Sequence, residues 1–464
     1  MREPVHDVAV IGGGVVGCAI LRRLALGGSR CVLLEKGADI LSGASKGNSA
    51  LLHTGFDAPS GSLELSCMQD GYREYLAIRE RLNLPLVETG AVVVAWNDDE
   101  LAKLPGIVVQ AHANNVADVH EIAPAELYLR EPNLAPGALG AVLVPGEHVI
   151  DAWSAPLAYA LQAISNGAGI RRNAQVNSGH YRRDHWILET SGGPLCARVV
   201  VNAAGLYGDR VESIAREAPF RIRPRKGQFA VFDKSAYALV KAIVLPVPTE
   251  RTKGVLIART AYGNLIVGPT AEEVDERESA GVDRDVLEQL LEKARTLVPA
   301  LAHHGVNAVY AGLRPATQFK EYQIEALADR GWITVAGIRS TGLTGSLGIA
   351  THVAELYARH FGPLLGPLRN TPDPVWNPVP NLCEETTRRY QQPNAGEIVC
   401  HCELVTREEI EAALSGPLPA GDLGGLKRRT RCMMGRCQGF YCSGRVMEIA
   451  AGRLTQPRLE RVKT

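Results

Sequence analysis

A compact apolar strand, Asp7 to Ile11, runs directly into Gly12-Gly13-Gly14-Val15-Val16-Gly17 and then into an apolar helix, Cys18 to Leu26, closed by Gly27-Gly28. Few folds tolerate this junction. Gly12 permits a tight turn, Gly14 lets the backbone approach a bound pyrophosphate, and Gly17 lets the helix pack close to the strand, leaving the helix N-terminus to hold phosphates. A second strand, Arg30 to Leu34, ends in Glu35, 18 residues after Gly17. A carboxylate there accepts hydrogen bonds from ribose hydroxyls and repels a 2′-phosphate, which favours FAD or NAD over NADP. Strand, glycine turn, helix, second strand and terminal acid stand in register, so the chain is expected to be a dinucleotide-binding α/β protein.

Alternating strand-like and helix-like runs continue for about the first 360 residues, the pattern of an α/β architecture. At 464 residues the chain has room for roughly three domains. Fifty Lys plus Arg balance fifty Asp plus Glu, which removes the electrostatic signal of a nucleic-acid partner. No run of eighteen apolar residues suggests a transmembrane helix, and the first residues carry no secretory pattern. The expected location is the cytoplasm, where cysteines stay reduced.

The cysteines are distributed unevenly. Five of the ten, Cys400, Cys402, Cys432, Cys437 and Cys442, fall in the last 65 residues, beyond a segment crowded by Pro363, Pro367, Pro372, Pro374, Pro378 and Pro380 that neither a helix nor a central strand can hold. A tail of thiols in a reducing compartment suits a soft metal site. Four thiolates suit zinc or an iron-sulfur cluster, and one-residue and four-residue spacings fit the Cys-x-x-Cys knuckles of structural zinc poorly.

Several segments in order resemble the D-amino-acid-oxidase superfamily of FAD enzymes, over roughly residues 5 to 360. They are the fingerprint, the Gly43 to Gly55 loop, Val199 to Val201 with Asn202-Ala203-Ala204-Gly205, Pro224-Arg225-Lys226-Gly227-Gln228, Gly263 to Thr270, Gly312-Leu313-Arg314-Pro315, and Gly337 to Thr344. Within that superfamily the chain is most similar to the glycerol-3-phosphate and L-2-hydroxyglutarate dehydrogenase branch. The resemblance implies FAD contacts from Gly12, Gly14, Val15, Val16, Gly17, Glu35 and Lys36. It adds Ser45, Asn48, Ser49 and His53 on the loop toward the flavin, Val176 at the adenine, Ala204 and Gly205 beside the nucleotide, and Gly337, Gly342, Leu343 and Thr344 over the flavin. A helix N-terminus at that last place would stabilise negative charge on reduced flavin.

It also implies that Arg314 binds the anionic group of a substrate, a task suited to a planar guanidinium. His53 is the candidate proton acceptor, with a purely structural role as the alternative. Lys253 and Arg259 could widen a positive pocket or be solvated charges, and Arg339 could mark altered substrate choice or be a loop charge.

The tail resembles the [2Fe-2S] domain related to bacterioferritin-associated ferredoxin, found fused to the anaerobic type of glycerol-3-phosphate dehydrogenase. That resemblance makes Cys400 and Cys402 one ligand pair and Cys437 and Cys442 the other. It leaves Cys432 over, with Cys432 in place of Cys442 still open. The run Lys427-Arg428-Arg429-Thr430-Arg431 could dock an acidic redox partner or be solvated.

The expected organisation is a Rossmann-like FAD-binding domain (1–85, 150–210 and 330–362), an interleaved α+β substrate domain (86–149 and 211–329), a Pro-rich linker (363–394) and a small [2Fe-2S] module (395–464). A cluster beside a flavin points to a dehydrogenase rather than an oxidase, because a one-electron relay is needed when the acceptor is a redox protein or a quinone. The expected activity is oxidation of a small anionic hydroxy substrate, above all sn-glycerol 3-phosphate, with companion subunits an open expectation. The alternatives are a 2-hydroxy acid such as L-2-hydroxyglutarate, an amino acid or proline derivative, and an FAD-binding electron-transfer subunit without substrate chemistry.

Overall fold

The structure, a computed structural model, describes residues 5–248, 254–364, 366 and 387–455. Most of the Pro-rich linker and Lys253 therefore lie outside the described residues.

The first strand, His6–Ile11, is buried along nearly its whole length, as expected for a central parallel strand covered on both faces. It pairs in parallel with Cys31–Leu34 on one side and with the C-terminal half of Gly193–Asn202 on the other. Gly169–Arg171 extends the sheet beyond Cys31–Leu34, and Trp332–Ala336 extends it beyond Gly193–Asn202. All five strands run the same way. The residues just past their carboxyl ends are Gly12, Glu35, Arg172, Ala203 and Gly337, which gathers most of the expected nucleotide contacts along one edge. The helix Val15–Leu26 packs over this sheet with Ser154–Ser165 and Gly342–His360, around a core that includes Val8, Ile20, Leu24, Leu33, Val201, Ile333 and Leu347.

The second sheet has nine strands and alternates with the first along the chain. Its spine is the long antiparallel pair Arg223–Phe232 and Val306–Ala316, and one face carries the helix Arg284–Leu297. The sequence assigns residues as far as 329 to this unit, but Gln323–Leu327 forms a hairpin with Trp332–Ala336 and belongs to the first sheet. The physical reason is local. A 3-10 turn at Ala328–Arg330 and a left-handed Gly331 reverse the chain tightly, so the two strands must be neighbours.

A three-stranded ribbon of Leu51–Leu52, His148–Ile150 and Leu86–Val87 joins the units. In its register Leu52 stands opposite His148, so continuing the antiparallel pairing sets residue 53 opposite residue 147.

The C-terminal module has its own core of Val399, Ile410, Leu426, Val446 and Ile449. It consists of the hairpin Ile398–Cys400 with Val405–Thr406 and the helices Arg407–Ala413, Leu423–Thr430 and Ser443–Ala450. Thr406 and Glu409 close a capping box on the first of these helices, and Asp422 caps the second through Gly425 N–H.

Candidate active site and cluster site

The nucleotide edge is built from short glycine turns. Gly12 has φ +111°, and a Cβ there would lie 2.5 Å from the Ala203 carbonyl oxygen. A Cβ on Gly14 would instead project to within 3.2 Å of Ser45 Oγ, so the missing side chain leaves a cradle at the helix start. No acidic residue occupies the first turn of that helix, and its Val15 N–H donates to Ser45 Oγ at 3.0 Å. Glu35 is buried, and burial pushes its carboxyl up, while it accepts from Gly13 N–H and Gly37 N–H, each at 2.7 Å. Each oxygen keeps a second lone pair for a ribose hydroxyl. Cradle, undischarged helix N-terminus and held carboxylate together fit the pyrophosphate and ribose of FAD.

Of the remaining expected contacts, Lys36 is exposed with Nζ 3.6 Å above the Tyr207 ring. Val176 opens a strand a few residues beyond Ala174, whose N–H donates to the Glu35 carbonyl. Ala204 and Gly205 turn the chain after Asn202, with Gly205 at φ +53°. Asn48 accepts at its backbone oxygen from Tyr310 O–H at 2.7 Å, and Gly47 meets Gly312 so closely that a Cβ on either would overlap the other's backbone. The Ser45–Ser49 loop is thereby clamped between the first unit and the strand that carries Arg314. Gly337 (φ +72°) leads to the helix beginning at Gly342, where Leu343 and Thr344 are buried. Thr344 Oγ1 donates to the Leu51 carbonyl at 3.2 Å and accepts from His53 N–H at 3.1 Å.

A glutamate that no sequence motif signals completes the His53 environment. Glu147 is fully buried, and its Oε2 lies 2.7 Å from His53 Nδ1. Its Oε1 accepts from Thr54 N–H at 2.6 Å and Thr54 Oγ1–H at 2.9 Å. A carboxylate on Nδ1 fixes the proton on that nitrogen and leaves Nε2 as the basic one. Only the ribbon register signals this pair, because the two residues are 94 positions apart in sequence.

Arg314 lies directly across the antiparallel pair from Arg225. Burial, followed by the charges of Arg225 and Arg339, pushes its guanidinium down to about 10. Arg314 donates to the Thr270 carbonyl at 3.3 Å, and its Nη2 fills the space a side chain at Gly227 would take. Two guanidiniums facing each other across the strand pair in partial burial, with a third charge acting on one of them, are stabilised by a nearby anion. Arg339 is half-buried and its charge reaches Arg314. Arg259 does not: its Nε donates to the carbonyls of Tyr237 and Val240. Lys226 pairs with Asp283 and Glu272.

In the C-terminal module Cys402 and Cys437 interact with each other, as do Cys400 and Cys442. The backbone N–H of Tyr441, with those of Gly439 and Phe440, lowers the Cys437 thiol, and N–H groups aimed at sulfur are the usual surroundings of a cluster ligand. Burial and the neighbouring Cys400 push Cys442 up to about 11. Cys432 is a fully buried thiol, raised to about 12 by burial with Cys400 and Cys442 adding to the rise, and it accepts from Thr430 Oγ1–H at 3.0 Å. Among the described residues no three His, Cys, Asp or Glu side chains are placed to hold a single ion. Four thiols in two linked pairs suit the wider footprint of a two-iron centre. None of the nine described cysteines forms a disulfide.

Fold and site together define a flavin-dependent oxidoreductase with an appended iron-sulfur module. The FAD dependent oxidoreductase (DAO) family matches residues 7–356, and the chain belongs to that family. Residues 398–451 match the BFD-like [2Fe-2S] binding domain. The chain is 31% identical over 456 residues to the glycerol 3-phosphate dehydrogenase of Caloramator mitchellensis, covering 97% of this chain and 95% of that protein. It is 27% identical over 509 residues to a protein of Escherichia coli (strain K12) named as one subunit of the anaerobic glycerol-3-phosphate dehydrogenase, covering 97% and 88% respectively. Among solved structures, the FAD-bound, dithionite-reduced L-alpha-glycerophosphate oxidase of Mycoplasma pneumoniae superposes with a TM-score of 0.74 at 24% identity, over 81% of this chain and 99% of that one.

FAD is therefore the dinucleotide, and Glu35 offers a direct test. Glu35→Gln is expected to weaken FAD binding by roughly 10- to 150-fold, the equivalent of about 1.5–3 kcal/mol for hydrogen bonds to a charged group. Fluorescence titration of the apoprotein with FAD measures it.

Proposed function

We propose that this enzyme oxidises sn-glycerol 3-phosphate at its secondary alcohol and sends the electrons through the [2Fe-2S] module to an external acceptor. The observation that carries the reading is the buried Arg314 set directly opposite Arg225 in the strand register, with the charge of Arg339 also acting on it, a repulsion that a phosphate dianion relieves. The glycerol 3-phosphate activity named for the Caloramator and Escherichia relatives supports it. An amino acid offers a single carboxylate with half that charge, and the glycerol 3-phosphate relative matches 97% of this chain against 57% for an L-2-hydroxyglutarate dehydrogenase, which together favour the phosphate.

Bound FAD supplies a two-electron acceptor for the hydride that leaves the carbinol carbon. The three arginines hold the phosphate and so fix which carbon is presented. His53 takes the hydroxyl proton on Nε2 as the hydride departs, and Glu147 holds the ring and stabilises the imidazolium. The first turn of Gly342–His360 contains no acid to oppose negative charge on the reduced cofactor. Anaerobic stopped-flow mixing with glycerol 3-phosphate, L-2-hydroxyglutarate and L-proline checks the assignment. Absence of flavin bleaching with glycerol 3-phosphate would overturn it.

Cys400, Cys402, Cys437 and Cys442 are the proposed cluster ligands. Each single serine replacement at these four positions is expected to remove most of the iron and acid-labile sulfide, whereas Cys432→Ser keeps both. Elemental analysis and the EPR signal of dithionite-reduced protein report the difference, and zinc in place of iron would reject the cluster. Phe440 and Tyr441, 81% and 79% exposed between two of these cysteines, support an acceptor docking on that side. The acceptor is a redox protein or a quinone, and the naming of the Escherichia relative as one part of a larger enzyme supports companion subunits. Among the described residues no helix is long and apolar enough to cross a membrane. The free thiols support a cytoplasmic location.

A further inference from the structure

In the basic run Lys427–Arg431 the three arginines, Arg428, Arg429 and Arg431, make internal contacts, against the expectation that the run is a solvated surface or a dock for another protein. Arg429 is buried and donates Nη1 to Asp39 Oδ2 at 2.6 Å and Nη2 to Asp39 Oδ1 at 3.0 Å. Asp39 is wholly buried, four residues beyond Glu35, and also accepts from Gly421 N–H at 3.1 Å. Its neighbour Ile40 accepts at the carbonyl from Arg428 at 2.9 Å. From the opposite side of the joint, Arg172 donates to the Pro419 carbonyl at 2.6 Å.

A second thread begins at Arg431, which is buried in the left-handed region at φ +66°. Its Nε donates to Glu403 Oε2 at 3.2 Å, beside Cys402, and its guanidinium carbon lies 3.4 Å from the centroid of the Tyr262 ring. The Tyr262 hydroxyl donates to Asp151, and its ring stacks on Trp153 at 5.5 Å. Trp153 Nε1 in turn donates to the Lys46 carbonyl at 3.2 Å, next to Ser45 on the cofactor loop. Both threads tie a segment expected to touch FAD to the stretch that precedes or flanks the cluster cysteines.

We propose that Asp39 and Tyr262 are positioning residues for electron transfer between the flavin unit and the cluster module, acting through Arg429 and Arg431. The inference rests on the reading that FAD and a [2Fe-2S] centre occupy these two units. One substrate oxidation releases a hydride, which carries two electrons, while a [2Fe-2S] centre holds one at a time. Two one-electron transfers must therefore cross this joint in each turnover, and the external acceptor removes the first before the second arrives. Transfer rate falls exponentially with separation. A connecting segment holds a module nearby without fixing its orientation, whereas a buried bidentate ion pair and a stacked cation select one arrangement.

The test uses the full-length holoprotein with Asp39→Asn and, separately, Tyr262→Leu, a milder change that leaves the ion pair intact. Two measurements are made, hydrogen exchange across residues 36–47 and 418–437 and anaerobic single turnover with glycerol 3-phosphate, following flavin bleaching and the EPR signal of the reduced cluster. Both variants are expected to exchange faster in both segments and to bleach at the wild-type rate. Cluster reduction should slow by roughly tenfold or more as the docked population falls. Cluster reduction keeping pace with bleaching in loosened variants, or exchange unchanged in both, overturns the inference. A wild-type protein without iron and sulfide would instead reject the underlying reading.

Discussion

Replacing Arg314 by alanine is expected to lower kcat/KM for glycerol 3-phosphate by roughly 30- to 4,000-fold, the range set by the 2–5 kcal/mol typical of truncating one partner of a buried charge pair. Most of the loss should fall in KM, because the phosphate stays the same anion from ground state to transition state and its binding is largely uniform. Glycerol itself, which lacks the phosphate, should be oxidised poorly and about equally by both proteins. That comparison separates anion recognition from damage to the fold. Arg314→Lys should recover only part of the loss, since an ammonium keeps the charge without the planar fork. Arg225 and Arg339 each act on Arg314, so their alanine variants should be strongly non-additive with it. Steady-state kinetics on the single and double variants decide the matter. An Arg314→Ala protein within about threefold of wild type on glycerol 3-phosphate would exclude this cluster as the anion site.

How much of this site can be read from the sequence follows from the distance over which each constraint acts. Gly12 to Gly17 and Glu35 are readable because a strand, a turn and a helix impose their chemistry within one βαβ unit. Arg314 is readable through its neighbours in Gly312-Leu313-Arg314-Pro315. Arg225 lies in the recognisable segment Pro224-Arg225-Lys226-Gly227-Gln228, but that it faces Arg314 follows only from the register of Arg223–Phe232 against Val306–Ala316. Glu147 is hidden for the same reason, as it faces His53 across a ribbon of two- and three-residue strands too short to leave a periodic pattern. The Lys427–Arg431 run is the opposite case. Composition alone makes it a surface, and only the buried Asp39 on a distant loop converts it into an internal contact. The Gln323–Leu327 strand shows how a tight hairpin shifts an expected boundary, because its partner Trp332–Ala336 fixes which sheet it joins.

Glu147→Gln is expected to reduce the rate of flavin reduction by substrate by roughly 10²- to 10⁴-fold, the usual contribution of a positioned general base. The cause lies in the hydrogen bonds. A glutamine keeps a carbonyl oxygen to accept from Thr54 N–H and Oγ1–H, but it presents an amide N–H₂ where Oε2 met His53 Nδ1 at 2.7 Å. An amide donor requires Nδ1 to accept, which moves the imidazole proton to Nε2 and blocks the nitrogen that must take the substrate proton. The imidazolium formed in the reaction also loses the carboxylate that stabilises it. Because both effects act in the transition state, kcat should fall with KM nearly unchanged. His53→Ala should match the loss, and the double variant should be no slower than either single, the signature of residues that act as one unit. A structural role for His53 makes a different demand. Glu147→Gln would then lower the melting temperature, since it disturbs a fully buried acceptor, while leaving flavin reduction and its pH profile as in the wild type. Single-turnover bleaching measured across pH distinguishes the two, because only a catalytic His53 transfers its own ionisation to the rate.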